Sequence, residues 1–158
     1  MELEHEIVIE AAPEHVWRRL TDLDEAHELV PFIESARLVS GSMEEGAEAH
    51  VTLHYMGMSV DADAIVSACV PHQTLELTSE IPEVRSTATI EWCLHEIAVD
   101  PEDASEGTRV VQTVKLKFGS TLARLAAGSL LGEFMSDHTA EDGLGRLKAA
   151  VEHDVADL

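Results

Sequence analysis

The chain has 158 residues, enough for one domain with a sizeable core, and 45% of them are apolar, which excludes wholesale disorder. Its formal net charge is −21, from 31 acidic against 10 basic side chains, and such a field repels nucleic acid and anionic membrane. No apolar run approaches the roughly 18 residues of a membrane span and the first residues form no charged-then-apolar leader, so a cytoplasmic protein without a membrane anchor is expected.

The acids are scattered along the chain instead of forming a block, which marks a solvation shell. With lysine confined to Lys115, Lys117 and Lys148, the composition is halophilic-like. Cys69 and Cys93 form no C-x-x-C pair and read as reduced thiols.

The first element is a strand. From Leu3 to Ile9, the residues Leu3, His5, Ile7 and Ile9 share one face, and Glu4, Glu6, Val8 and Glu10 share the other. Pro13 then suits the first turn of a helix with an apolar stripe of Val16, Trp17 and Leu20, expected to plug one end of the sheet. Asp22 with Glu25 resembles a capping box for a second short helix, which ends before Pro31. A strand follows over Ile33 to Val39.

In "AEAHVTLHY", Ala47, Ala49, Val51, Leu53 and Tyr55 alternate with polar residues. In "MSVDADAIVSA", Met58, Val60, Ala62, Ala64, Val66 and Ala68 do the same. Met56-Gly57 makes a two-residue hairpin turn, which sets Val51 opposite Ala62, Leu53 opposite Val60 and His50 opposite Asp63. "TLELTS" is a further strand. "STATIEWCLHEI" places Ala88, Ile90, Trp92 and Leu94 on one face, and "TRVVQTVKLKF" places Val110, Gln112, Val114, Leu116 and Phe118 on one face. "IAVDPEDASEG" reads as the acidic loop between them. From Thr121 to Val155 the chain reads as one long helix or a loop-helix pair. The apolar stripes of its two halves diverge around Gly143 and Gly145, so either the helix bends there or residues 120–132 form a separate cover or dimer contact.

The order is strand, two short helices, about six antiparallel strands and a long helix, an α+β arrangement in one domain spanning residues 1–158. The last helix is the only long element that can cover the apolar face. Small inward residues then leave room for a hydrophobic ligand.

Several stretches carry a family likeness: "IEAAPEHVWRRLTD", "PFIESARLVSG", "ATIEWCLHEI", "EGTRVVQTVKL" and "EDGLGRLKAAVE". Over essentially the whole length the chain resembles the START / Bet v 1-like (SRPBCC) superfamily, of the polyketide cyclase/dehydrase or coenzyme Q-binding type. The resemblance implies a helix-grip fold: a curved antiparallel sheet of about seven strands, two short helices after the first strand, and a long C-terminal helix across the sheet. It also implies a cavity for a polyketide, isoprenoid, lipid or quinone-like molecule.

The chemistry is sparse. The inner faces at 47–55, 58–68 and 88–94 carry no carboxylate, lysine or arginine. The inward polar residues are His5, Tyr55, Ser79 and Gln112. Gln112 interrupts an apolar face, and a buried amide needs a partner, either a ligand or a neighbouring side chain. His138 has Glu141 and Asp142 one turn on, a pattern that suits half of a metal site, an acid/base pair or a histidine paired within its own helix. His50 and His54 lie roughly 13 Å apart on a strand, too far to chelate one ion. No nucleophile elbow or phosphate loop is present.

The expected ligand contacts on strands are Tyr55, Val60, Ala62, Trp92, Gln112 and Val114. Those on the final segment are Leu131, Phe134, Met135 and His138. The expected function is binding or transport without cofactor or metal. The alternatives are a metal-free cyclase/dehydratase with His138, Tyr55 or His5 as acid/base, and an interaction or cofactor-delivery subunit. A homodimer is compatible with either.

Overall fold

The computed structural model describes residues 2–30, 33–39, 41–55, 58–82, 85–100, 102, 105–122 and 137–158, with Tyr55, Met58, Asp137 and His138 described in their backbone alone. Strand β1 (Glu2–Ile9) leads into helix α1 (Pro13–Leu20), a short 3-10 turn (Leu23–Glu25) and helix α2 (Ala26–Leu29). Strands β2 (Ile33–Leu38), β3 (Glu48–Tyr55), β4 (Met58–Val70), β5 (Thr74–Ile81), β6 (Ser86–Asp100) and β7 (Ser105–Phe118) follow, and helix α3 spans Asp137–Ala156.

The seven strands form one antiparallel sheet in the order β1-β7-β6-β5-β4-β3-β2. From β2 onward each strand pairs with the next, whereas β1 pairs with β7, so the two short helices carry the chain from one edge to the other. With α3 packed on the β1 side, this is the expected helix-grip architecture.

Alternation decides which residues enter the core. Along β1 the glutamates at 2, 4 and 6 are exposed, while Leu3, His5 and Ile7 are half-buried and Ile9 is fully buried. The β3–β4 register pairs Val51 with Ala62, Leu53 with Val60, His50 with Asp63 and Tyr55 with Met58, the register expected; Met56 and Gly57, the expected turn, lie outside the described residues.

Two features depart from the alternating pattern. The β4–β5 register shifts between Val66 and Ala68, and Ala68 comes to lie opposite Glu76. The bulge flips the parity of the strand, so Cys69 joins the core in the place expected for Ala68. The β6–β7 hairpin is also longer than the acidic loop suggested: pairing continues to Asp100 and Ser105. At Gly107 in this hairpin an added methyl would run into Val99 Cγ2 and stand 3.3 Å from the Ile9 carbonyl oxygen. Valine is stiff at χ1 and yields little. Gly107→Ala is therefore expected to cost about 1–3 kcal/mol in urea unfolding; an unchanged midpoint would show that the hairpin does not close this tightly.

Helix α1 starts at Pro13, whose fixed φ suits the first turn, and its N-cap Ala12 makes no side-chain bond. Val16 and Leu20 are buried in the core, and Trp17 packs against it with its ring edge-on to His72 at 6.3 Å. The expected Asp22–Glu25 capping box is absent. Asp22 makes no side-chain cap bond, and Glu25 Oε2 instead accepts from Arg19 Nη1 at 2.6 Å. Arg19 is also forked onto Asp154 of α3, with Nε–Oδ2 at 2.6 Å and Nη2–Oδ1 at 2.7 Å. This three-way clamp joins α1, the 3-10 turn and α3.

Helix α3 runs unbroken through Gly143 and Gly145. It buries Leu144, Leu147 and Val151, an i, i+3, i+7 stripe, against β1, α1 and α2. Its polar flank closes the open edge of β1: Lys148 Nζ donates to the Val8 carbonyl at 2.9 Å, and Glu152 Oε2 accepts from the Glu10 N–H at 3.2 Å. Residues 123–136, including the expected cover, lie outside the described residues; Leu122, which precedes them, is exposed.

Candidate functional site

The inner face of the sheet is apolar nearly throughout, and one row across it is not. His5 of β1 pairs with Gln112 of β7, Gln112 with Trp92 of β6, and Trp92 with Leu75 of β5. Alternation alone puts all four side chains on the inner face. Trp92 is 7% exposed and Gln112 is 8% exposed. The Trp92 Nε1–H donates to Gln112 Oε1 at 2.9 Å. Of the two partners open to Gln112, a neighbouring side chain thus takes its oxygen. The amide nitrogen makes no hydrogen bond to another described residue. His5 is half-buried beside it.

The expected site residues divide into groups. Trp92, Gln112 and Val114 lie together, with Val114 half-buried opposite Ile90 and Leu3. Val60 and Ala62 sit elsewhere on the face. Their neighbour Asp63 aligns through Glu80 and Thr87 with Lys117, five residues along β7 from Gln112. At ~3.4 Å per residue that separation is roughly 17 Å. Tyr55 ends β3 opposite Met58, and His138 is the second residue of α3, both described in backbone alone. Leu131, Phe134 and Met135 lie outside the described residues. Ser79, expected as an inward polar group, spends its hydroxyl on the Asp63 carbonyl at 2.9 Å.

Sequence reasoning missed Ser86. Its Oγ is fully buried without a hydrogen-bond partner, on a residue 5% exposed. Ser86 stands opposite Ile81 and Phe118, at the end of the face far from Gln112. Its place in "STATIE" carries the signal: the alternation that turns Ala88 inward turns Ser86 inward too.

Residues 1–152 match the family described as polyketide cyclase / dehydrase and lipid transport. The chain belongs to that family. No curated protein sequence matches it. Among solved structures it is similar in fold to the Zhui aromatase/cyclase from Streptomyces sp. R1128, with a TM-score of 0.71 and 15% identity over 98% of this chain and 95% of that one. It is similar also to TTHA0849 from Thermus thermophilus, with a TM-score of 0.67 and 21% identity over 98% and 99% of the two chains. Ara h 8.0201 aligns with a TM-score of 0.65 and 17% identity over 97% and 98%.

The ionisable groups of this family member lie mostly outside the inner face. His50 Nδ1 is 3.2 Å from Asp63 Oδ1 on the outer face, the surface pair that the register implied. Asp142, one of the two acids near His138, is 3.0 Å from Arg146 Nη2. Burial pushes both thiols up, with Glu44 adding to the effect at Cys69 and Glu91 at Cys93, so neither is a ready nucleophile at neutral pH. Among the described residues no three His, Cys, Asp or Glu side chains converge as metal ligands, and no helix is long and apolar enough to cross a membrane. An open groove of about 450 Å³ between α2 and α3 is lined by His27, Glu28, Leu29, Arg146, Ala149 and Ala150. It includes none of the inner-face residues, so it is a surface feature separate from the candidate site.

Proposed function

We propose that this chain binds and carries a hydrophobic small molecule, of polyketide, isoprenoid, lipid or quinone-like character, against the inner face of the sheet. One observation carries the reading: a buried amide, held by a tryptophan, is set into an inner face that carries no carboxylate, lysine or arginine along 47–55, 58–68 and 88–94. Such a surface gains from apolar contact and orients a guest through one neutral polar group. Membership of a family that spans cyclases and lipid transport supports the same reading at the level of ligand class.

A second reading is a metal-free cyclase or dehydratase. The pairing of His5 with Gln112 favours it, since an imidazole beside the one inward amide is the acid/base group that such chemistry needs. His138 and Tyr55 are the further acid/base candidates.

Native mass spectrometry of protein purified from its own host tests both readings. A lipophilic compound retained one per chain is expected. The chain's own mass alone, together with no enhancement of Nile red fluorescence, would remove the binding proposal. Incubation of the complex separates carrier from enzyme: a carrier returns the same compound, a cyclase returns a ring-closed isomer of the same mass that chromatography resolves, and a dehydratase returns one that has lost water.

A further inference from the structure

We propose that the Trp92–Gln112 pair makes the inner face selective for ligands that present an oxygen acceptor, namely a ketone, quinone or enolate oxygen. This deepens the ligand-binding reading and rests on it. An indole N–H only donates, and a glutamine amide has one accepting oxygen and two N–H donors. The 2.9 Å bond from Trp92 Nε1 to Gln112 Oε1 therefore fixes which way the amide faces. Turned over, it would set N–H against N–H. With the oxygen committed to Trp92, the NH₂ end is the part left to meet a guest.

The orientation is held firmly. Both residues are more than nine-tenths buried, and Trp92 packs in the main core with Leu75, Leu94 and Val110. The β6–β7 register sets the two residues directly opposite. Around them Leu3, Val114 and Ile90 offer only apolar contact. Gln112 is thus a fixed director in the row. A guest with a methylene at that position would cover the two N–H groups and leave them unpaired, the more costly outcome.

α-Tetralone and tetralin differ in one ketone against one methylene and serve as probes. The isotope-labelled protein is titrated with each and followed by NMR and calorimetry. The ketone should move the Gln112 side-chain NH₂ resonances downfield and leave the Trp92 indole N–H in its hydrogen-bonded position. Tetralin should bind without that NH₂ shift. Gln112→Met keeps the volume and removes the donor. It should lower the affinity for tetralone relative to tetralin by about three- to tenfold. Gln112→Glu at neutral pH keeps an acceptor for Trp92 and presents a carboxylate oxygen to the guest, so it should disfavour the ketone at least as strongly. If both probes bind wild type and the Gln112 resonances stay still for both, the selectivity is overturned while inner-face binding stands. If neither probe binds at millimolar concentration, the binding reading fails and this inference falls with it.

Discussion

Leu147→Ala should lower the unfolding free energy by about 3 kcal/mol, the cost typical of a leucine cut from a closed core. Leu147 is 2% exposed and stands midway between Leu144 and Val151 on the buried stripe of α3. That stripe shares one core cluster with Ile9, Val16 and Leu20, so α3 packs on the sheet edge and the first helix together. Rigid elements on three sides leave little scope for collapse into the vacated space, and a cavity term adds to the lost transfer energy. For a domain of this size the melting temperature should fall by about 6–12 °C. Leu147→Met, which conserves volume, should cost less than about 1.5 kcal/mol. If the alanine variant loses under about 1 kcal/mol, α3 does not seat on the core in this way.

Arg19→Met should cost about 2 kcal/mol at neutral pH, because it leaves Asp154 and Glu25 facing each other without their shared cation. The clamp is half-buried, with the Arg19 side chain 22% exposed, so solvent screening keeps the loss below that of a deep ion pair. The same clamp sets an acid dependence. The hydrogen bonds from Arg19 hold the Asp154 carboxyl below its ordinary 3.8, and Lys148 holds Glu152 below its ordinary 4.5. In the folded state both groups therefore bind fewer protons than in the unfolded chain. The stability they contribute is present above the ordinary carboxylate range and is lost as pH falls through the lowered folded values. Urea unfolding measured from neutral to acid pH should show the gap between wild type and Arg19→Met closing as Asp154 protonates. A gap that stays constant over that interval would exclude the clamp as its source.

Local chemistry made much of this fold readable. The β3–β4 register followed from a two-residue turn and strict alternation, and the observed pairs Val51–Ala62 and Leu53–Val60 match it. The misreadings share one cause, which is that distant partners override local preference. Glu25 sits where a capping box would use it, but Arg19 recruits it, and Arg19 is oriented by Asp154, 135 positions away. Ala68 has inward parity by counting, yet a bulge opposite β5 gives that place to Cys69. The candidate site shows the same division. Alternation put Trp92 and Gln112 on one face, whereas their pairing depends on where the β6–β7 hairpin turns, and the acidic loop hid that point. Ser86 was equally legible by parity, but only the packed structure reveals that its hydroxyl lacks a partner.

The closing of the β1 edge by α3 has a consequence for synthesis. Ile9 pairs with Thr108, so β1 emerges from the ribosome about a hundred residues before the strand that will hold it. At roughly 5–20 residues per second that interval is about 5–20 s. Its other edge waits longer still, for Lys148 and Glu152. Throughout that time Leu3, Ile7 and Ile9 form an apolar strand with both edges bare, the kind of segment that chaperones bind. The nascent chain is thus exposed to misassembly at β1 until α3, with Lys148 140 positions after Val8, ends that exposure.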